Sequence, residues 1–139
     1  NIIGFPDETR ELAFDTIELN RRFNSDNTSC SILVPFHGTE LHAYAVEKGY
    51  LDPNVICAIS NSGESLLNMP QWDKKDMTRL RDVFAMYIKF PKDRWPEIKR
   101  AETDDKLRYE LREEFVKTYW SDSTAKIEDD IAEAAKGLF

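Results

Sequence analysis

The first 39 residues constrain this chain's fold more than any other stretch. They run Asn1-Ile2-Ile3-Gly4-Phe5-Pro6-Asp7-Glu8-Thr9, then an amphipathic segment over 12–23, then Cys30-Ser31-Ile32-Leu33-Val34-Pro35-Phe36-His37-Gly38-Thr39. Each apolar run enters a loop containing Pro and Gly, and each loop feeds a helix. This is a strand–loop–helix unit written twice. A connection through one helix makes the two strands parallel neighbours by a right-handed crossover. Both loops then lie at the carboxyl ends of strands, where ligands of α/β proteins sit. Two such units would leave a two-stranded sheet with exposed edges, so the expected class is a helix-rich α/β fold in which these are the last βα units of something larger. The chain opens at Asn1, inside a strand and without Met, which reads as a piece of a longer polypeptide.

Local signals set the expected elements. Ile2, Ile3 and Phe5 are too densely apolar for a one-sided strand, and Gly4 among them permits close backbone approach or an unusual φ. Pro6 ends the strand, and Asp7, Glu8 and Thr9 give an acidic, cap-competent turn. In the next helix Leu12, Thr16, Leu19 and Phe23 form one stripe with Ala13 and Ile17 beside it, and Arg10, Glu11, Glu18, Arg21 and Arg22 take the outer face. Asn24-Ser25-Asp26-Asn27 is a turn. Thr39 caps a helix over 40–48, and Gly49 stands where a left-handed terminator belongs. The run 55–59 reads as a strand or a buried loop, and Asn61-Ser62-Gly63 as a turn. Asp73 and Asp76 open a helix in capping-box style, with Met77, Leu80, Phe84, Tyr87 and Ile88 on its buried face and Pro91 after its end. Residues 92–96 read as a turn. A helix over 104–120 carries Leu107, Leu111, Phe115 and Tyr119 at four-residue spacing, and another over 123–136 carries Ile127, Ile131, Ala134 and Ala135 before Gly137. The chain therefore divides into a β/α part over 1–60 and a helical extension over 61–139.

A length of 139 residues, 41% of them hydrophobic, suits one domain with a real core. A net charge of -7 argues against a nucleic-acid binder working through a general electrostatic footprint. Cys30 and Cys57 match no metal-ligand spacing and are expected as buried thiols in a reducing cytoplasm. No run approaches the ~20 apolar residues of a membrane span, and no charged-then-apolar leader is present.

Among candidate chemistries, the Gly4-to-Thr9 loop reads two ways. It either offers backbone N–H groups and the Glu8 carboxylate to a nucleotide-like ligand, or it is a strand-to-helix turn with a capping acid. His37 and His42 are the only histidines. They do not share a helix face and have no evident third ligand. Cys30, in a presumed buried strand, reads as packing. Ser62-Gly63-Glu64-Ser65 lacks the setting of a nucleophile elbow.

At the two loops the chain resembles radical S-adenosylmethionine enzymes. Ile2-Ile3-Gly4-Phe5-Pro6-Asp7-Glu8-Thr9 is similar to their I-x-G-x-P-x-E-T segment, and Val34-Pro35-Phe36-His37-Gly38-Thr39-Glu40-Leu41 to the next strand and its P-[YF]-P-G-T-x-L loop. His37 stands where that loop carries proline, and Asp7 where a small residue is common. Ala45-Val46-Glu47-Lys48-Gly49-Tyr50-Leu51, Asn68-Met69-Pro70 and Tyr87-Ile88-Lys89-Phe90-Pro91-Lys92 are similar to a subgroup with an N-terminal cobalamin-binding domain, which includes the anaerobic magnesium-protoporphyrin IX monomethyl ester cyclases. The resemblance spans most of residues 1–115.

The resemblance implies the last βα units of a partial (β/α) barrel followed by a helical extension. In the family a [4Fe-4S] cluster reductively cleaves S-adenosylmethionine to a radical that abstracts a substrate hydrogen. The C-x3-C-x2-C motif that holds the cluster is not in this sequence, nor is a cobalamin domain, so those ligands are expected outside this chain. Gly4 and Glu8 match the loop approaching the adenosyl and methionine part, and Pro35, Phe36 and His37 the loop near the adenine. The expected partners are the upstream part of the same polypeptide and a small-molecule substrate, with self-association of the isolated piece through its open edges. Two alternatives stand beside this one: a non-catalytic module docking through its helical half, and an unrelated α/β enzyme.

Overall fold

The computed structural model describes residues 1–23, 28–56 and 63–120. The turn expected at 24–27, residues 57–59 of the 55–59 run (Cys57 included), Asn61, Ser62 and the helix expected over 123–136 lie outside the described residues, and Val55 and Ile56 belong to no strand. Among the described residues the fold is helix-rich α/β, with two strands and five α-helices. β1 (Ile2–Ile3) pairs parallel with β2 (Ser31–Ile32), in the register Ile2↔Ser31 and Ile3↔Ile32. The Ser31 amide donates to the Asn1 carbonyl at 3.0 Å and that of Leu33 to Ile3 at 2.8 Å. The expected parallel pairing is present, with α1 (Arg10–Phe23) as the connecting helix. Both strands are shorter than their apolar runs. Gly4 leaves the β region at φ 85°, and Pro35 has no N–H to extend the ladder.

α3 (Lys74–Lys89) is the central element. Asp73 caps it, accepting from the Lys75 and Asp76 amides at 2.9 and 3.3 Å. The Asp76 carboxylate completes no reciprocal capping box; it accepts from Trp72 Nε1 at 2.8 Å and from Arg10 at 2.9 Å. Met77, Leu80, Phe84, Tyr87 and Ile88 are buried as expected, and Val83 and Met86 join them. The helix meets α1, β2, α4 and α5, so its apolar stripe is wider than a single neighbour would need.

The α1 stripe is rotated from its expected position. Ala13 and Ile17 are fully buried, whereas Leu12 and Leu19 are each 51% exposed and Phe23 74%. Two of the arginines assigned to the outer face point inward. Arg10 reaches Asp76 and, at 2.6 Å, Glu102, and Arg21 Nη1 donates to the carbonyls of Tyr87, Ile88 and Phe90 at 2.7–2.8 Å. Those carbonyls include orphans at the α3 carboxyl end, where a cation also meets the negative end of the helix dipole. The small Ala13 and two satisfied guanidinium groups bring this face, not the leucine face, against α3.

Residues expected as a turn instead start a helix. A short 3₁₀ turn (Lys92–Arg94) leads directly into α4 (Trp95–Ala101). Pro96 sits in its first turn, where no intrahelical N–H is required. α5 (Asp105–Phe115) follows, capped by Asp104 accepting from the Leu107 amide at 3.1 Å, and its continuation Val116–Trp120 widens to a π turn. Leu111 is buried, and Leu107, Phe115 and Tyr119 pack at the edge of the same core. Glu102, 2% exposed, ties the helices together by accepting from Arg10, from Lys99 at 2.8 Å and from the Tyr87 hydroxyl at 2.7 Å. No helix among the described residues is long and apolar enough to cross a membrane.

Candidate functional site

Two loops leave the carboxyl edge of the sheet. The first, after β1, begins at Gly4. A Cβ there would lie 3.3 Å from Met77 Sδ and 3.5 Å from Ile32 Cγ2, at a φ that side chains disfavour. The Glu8 amide turns back to the Phe5 carbonyl at 3.0 Å, and Glu8 Oε2 accepts from the amides of Gly4 at 2.5 Å and Phe5 at 2.9 Å. The carboxylate therefore closes its own loop and takes up two of the amides that the ligand reading of this loop would direct outward. Thr9 makes the cap contact to α1, accepting from the Leu12 amide at 3.4 Å. Burial raises the Glu8 pKa, and the two amide bonds oppose that rise.

The second loop joins β2 to α2 (Glu40–Glu47). Gly38 has φ 82°, the Thr39 hydroxyl donates to the Phe36 carbonyl at 2.7 Å, and Thr39 Oγ1 accepts from the His42 amide at 3.2 Å as the N-cap. Gly49, at φ 72°, ends this region as expected. The rings of His37 and His42 lie 4.3 Å apart at 42° although the residues do not share a helix face. His37 Nε2 bonds the Val55 carbonyl at 2.9 Å, and buried His42 Nε2 has no partner among the described residues. No group of three His, Cys, Asp or Glu side chains suited to a metal occurs among the described residues. Burial pushes the Cys30 thiol up to about 12, which removes it as a thiolate nucleophile at neutral pH.

Beside the second loop runs a groove of about 510 Å³. Ile2, Ile32, Val34, Pro35, Phe36 and Leu41 line most of it. Its wall is almost wholly aliphatic and aromatic, suited to the faces of a flat, weakly polar group. Of the five residues singled out from sequence, Pro35 and Phe36 line this groove, Gly4 and Glu8 build the first loop, and His37 lies on the second loop turned toward Val55.

A polar clamp joins the first loop to α2 and its exit. Asp7, at φ 66°, is the sole non-glycine residue with positive φ among those described. Its Oδ2 accepts from the Tyr44 hydroxyl, and its Oδ1 from the Tyr50 hydroxyl at 2.7 Å. Lys48 Nζ lies 5.2 Å from the Tyr44 ring centre. The phenol bonds, Tyr44 first, lower the Asp7 pKa, and the Asp7 bond raises that of Tyr50. Tyr44 and Tyr50 were not signalled as site residues by the sequence. The available cue was the Gly49 terminator, which folds the chain back so that residues six apart face one acceptor.

No family model matches the chain, and no solved structure matches it. The chain is similar to an uncharacterized methyltransferase of Pyrococcus horikoshii, at 42% identity over 50 residues, which is 36% of this chain. The match covers 11% of that relative's length.

Proposed function

We propose that this chain is the C-terminal portion of an S-adenosylmethionine-dependent radical enzyme, in which it completes the pocket for the cofactor and substrate. In this reading β1 and β2 are the last strands of a partial (β/α) barrel, and α3 to α5 belong to a helical extension. The observation that carries it is the pair of parallel βα units whose Gly- and Pro-bearing loops, similar to the family's two motifs, leave the same sheet edge beside an apolar groove. The similarity to a protein named as a methyltransferase supports S-adenosylmethionine, a common methyl donor, as the ligand class.

The residues suit the small-molecule cofactor in part. The groove along Val34, Phe36 and Leu41 is apolar and would take the face of a planar base. Glu8 acts by shaping its loop, because its Oε2 is already engaged by two amides. An iron–sulfur cluster does not fit the donors found here: the sequence has two cysteines, and the thiol of Cys30 resists the deprotonation a ligand requires. The reading therefore assigns the [4Fe-4S] cluster and any cobalamin to parts of the polypeptide outside this chain. When bound there, the cluster supplies the electron for cofactor cleavage.

The test is anaerobic incubation of the cluster-reconstituted polypeptide containing this chain with S-adenosylmethionine and a low-potential reductant. Release of 5′-deoxyadenosine is the expected result. A polypeptide with a full complement of cluster iron that releases none would sink the proposal, and a chain whose helical half captures a protein partner without binding the cofactor would replace it with a docking module.

A further inference from the structure

Resting on the proposed function, we propose that Tyr44 and Tyr50 are positioning residues, which lock the first loop at a set distance from the apolar groove by holding Asp7 between them. The loop is stiff within itself, because Glu8 binds the amides of Gly4 and Phe5. What remains to be set is the attitude of the whole loop toward the second loop and the groove. Asp7 sets it from 37 and 43 residues away in sequence, giving one carboxylate oxygen to each phenol. One phenol comes from α2, which begins where the second loop ends, and the other from the chain just past Gly49. Gln71 adds a weaker tie, its Nε2 donating to the Glu8 carbonyl at 3.2 Å.

The clamp lies outside the core of the fold. Asp7 and Tyr44 are exposed, Tyr50 lies at the edge of the core, and none belongs to the buried set that packs α1 against α3. Asp7 takes its positive φ at the third position of the turn that the Glu8 amide closes on the Phe5 carbonyl, with Pro6 before it, and this turn presents the carboxylate to the two phenols. A ligand spanning both loops would then meet a gap already at its working width, so less ordering is needed on binding.

The test is the double variant Tyr44→Phe/Tyr50→Phe in the 139-residue chain, which keeps both rings and removes both donors. Amide hydrogen exchange over residues 4–9 is expected to quicken about tenfold or more, the effect of losing roughly one to two hydrogen bonds from a local opening reaction. Exchange in α3 is expected to quicken less than that over residues 4–9, and the thermal midpoint to fall by only a few degrees. In the cluster-reconstituted polypeptide containing this chain, calorimetric titration with S-adenosylmethionine is expected to show the double variant's affinity weakened about tenfold. Unchanged exchange over residues 4–9 in the double variant would overturn the clamp, and faster exchange with undiminished affinity would overturn its role in binding. A cluster-reconstituted wild-type polypeptide that takes up no S-adenosylmethionine sinks the functional reading, while the exchange comparison still decides whether the clamp holds the loop.

Discussion

At the scale of single residues, Asp7 links backbone conformation to charge. Its two phenol donors favour the carboxylate, so its pKa is lower folded than unfolded. The stabilisation is complete above the unfolded value of about 3.9 and is lost as pH falls through the lowered folded value. The Tyr50 phenol is shifted the other way; its contribution is complete below about pH 10 and is lost as pH rises through the raised folded value. The expected NMR result is a carboxyl-carbon midpoint for Asp7 below about 3.9. Replacing Asp7→Asn should move the phenolate absorbance midpoint of Tyr50 back toward about 10, and an unmoved midpoint would show that the bond does not form in solution. Glu8 illustrates how far residue-level reading reaches. Its place in an acidic turn before a helix was legible, and so was a capping role as one alternative. That its acceptor is spent on Gly4 and Phe5 was not, because this depends on how sharply Gly4 turns.

At the scale of elements, α1 shows where periodicity stops informing. Leu12, Thr16, Leu19 and Phe23 satisfy a helical repeat, and so do Arg10, Ala13, Ile17 and Arg21. Hydrophobicity favours the first stripe, yet the second is buried, because α3 and α4 offer Asp76, Glu102 and three carbonyls as partners for its arginines. Ile17→Ala should therefore destabilise the chain by about 2–5 kcal/mol through a cavity, while Leu19→Ala should change stability by about 0.5 kcal/mol or less. Urea unfolding of the two variants checks the rotation, and the opposite ranking would refute it. α4 was misread for a related reason. Pro96 beside Trp95 looks like a turn locally, but in a first helical turn Pro removes no needed bond, and Ile98 and Ala101 are fully buried in the core.

At the scale of the whole molecule, the charges around Glu102 hold α1, α3 and α4 in one arrangement. Glu102 accepts from Arg10, Lys99 and Tyr87, and burial first, then the Glu102 bond, raise the Tyr87 phenol's pKa. Arg10→Met removes a buried charge partner and should cost about 3–5 kcal/mol in chemical denaturation. A cost near zero would mean that Lys99 and Tyr87 satisfy the carboxylate without it. The surface carries a second consequence. Each strand of the described sheet has one unpaired edge, and Ile2, Leu12, Leu19 and Phe23 are exposed. Open edges and exposed apolar side chains favour self-association, so the isolated chain should elute larger than its 16.2 kDa. Leu19→Lys/Phe23→Lys should return it to monomer mass in light scattering, and an association that survives both changes must use another surface.

Apolar runs, glycines and capping acids determined that strand, helix, strand and helix would follow one another from Asn1 to Gly49, and that α3 would begin at Asp73, because these depend on contacts within a few residues. The same local signals placed Pro35 and Phe36 on a loop at a strand's carboxyl end. Only tertiary packing decided which face of α1 is buried, where Arg10 and Arg21 point, and which phenols meet Asp7. Each of those choices joins groups 37 to 92 residues apart. A charged or small residue can occupy an interior face when a distant partner satisfies it, and no local pattern carries that partner's position.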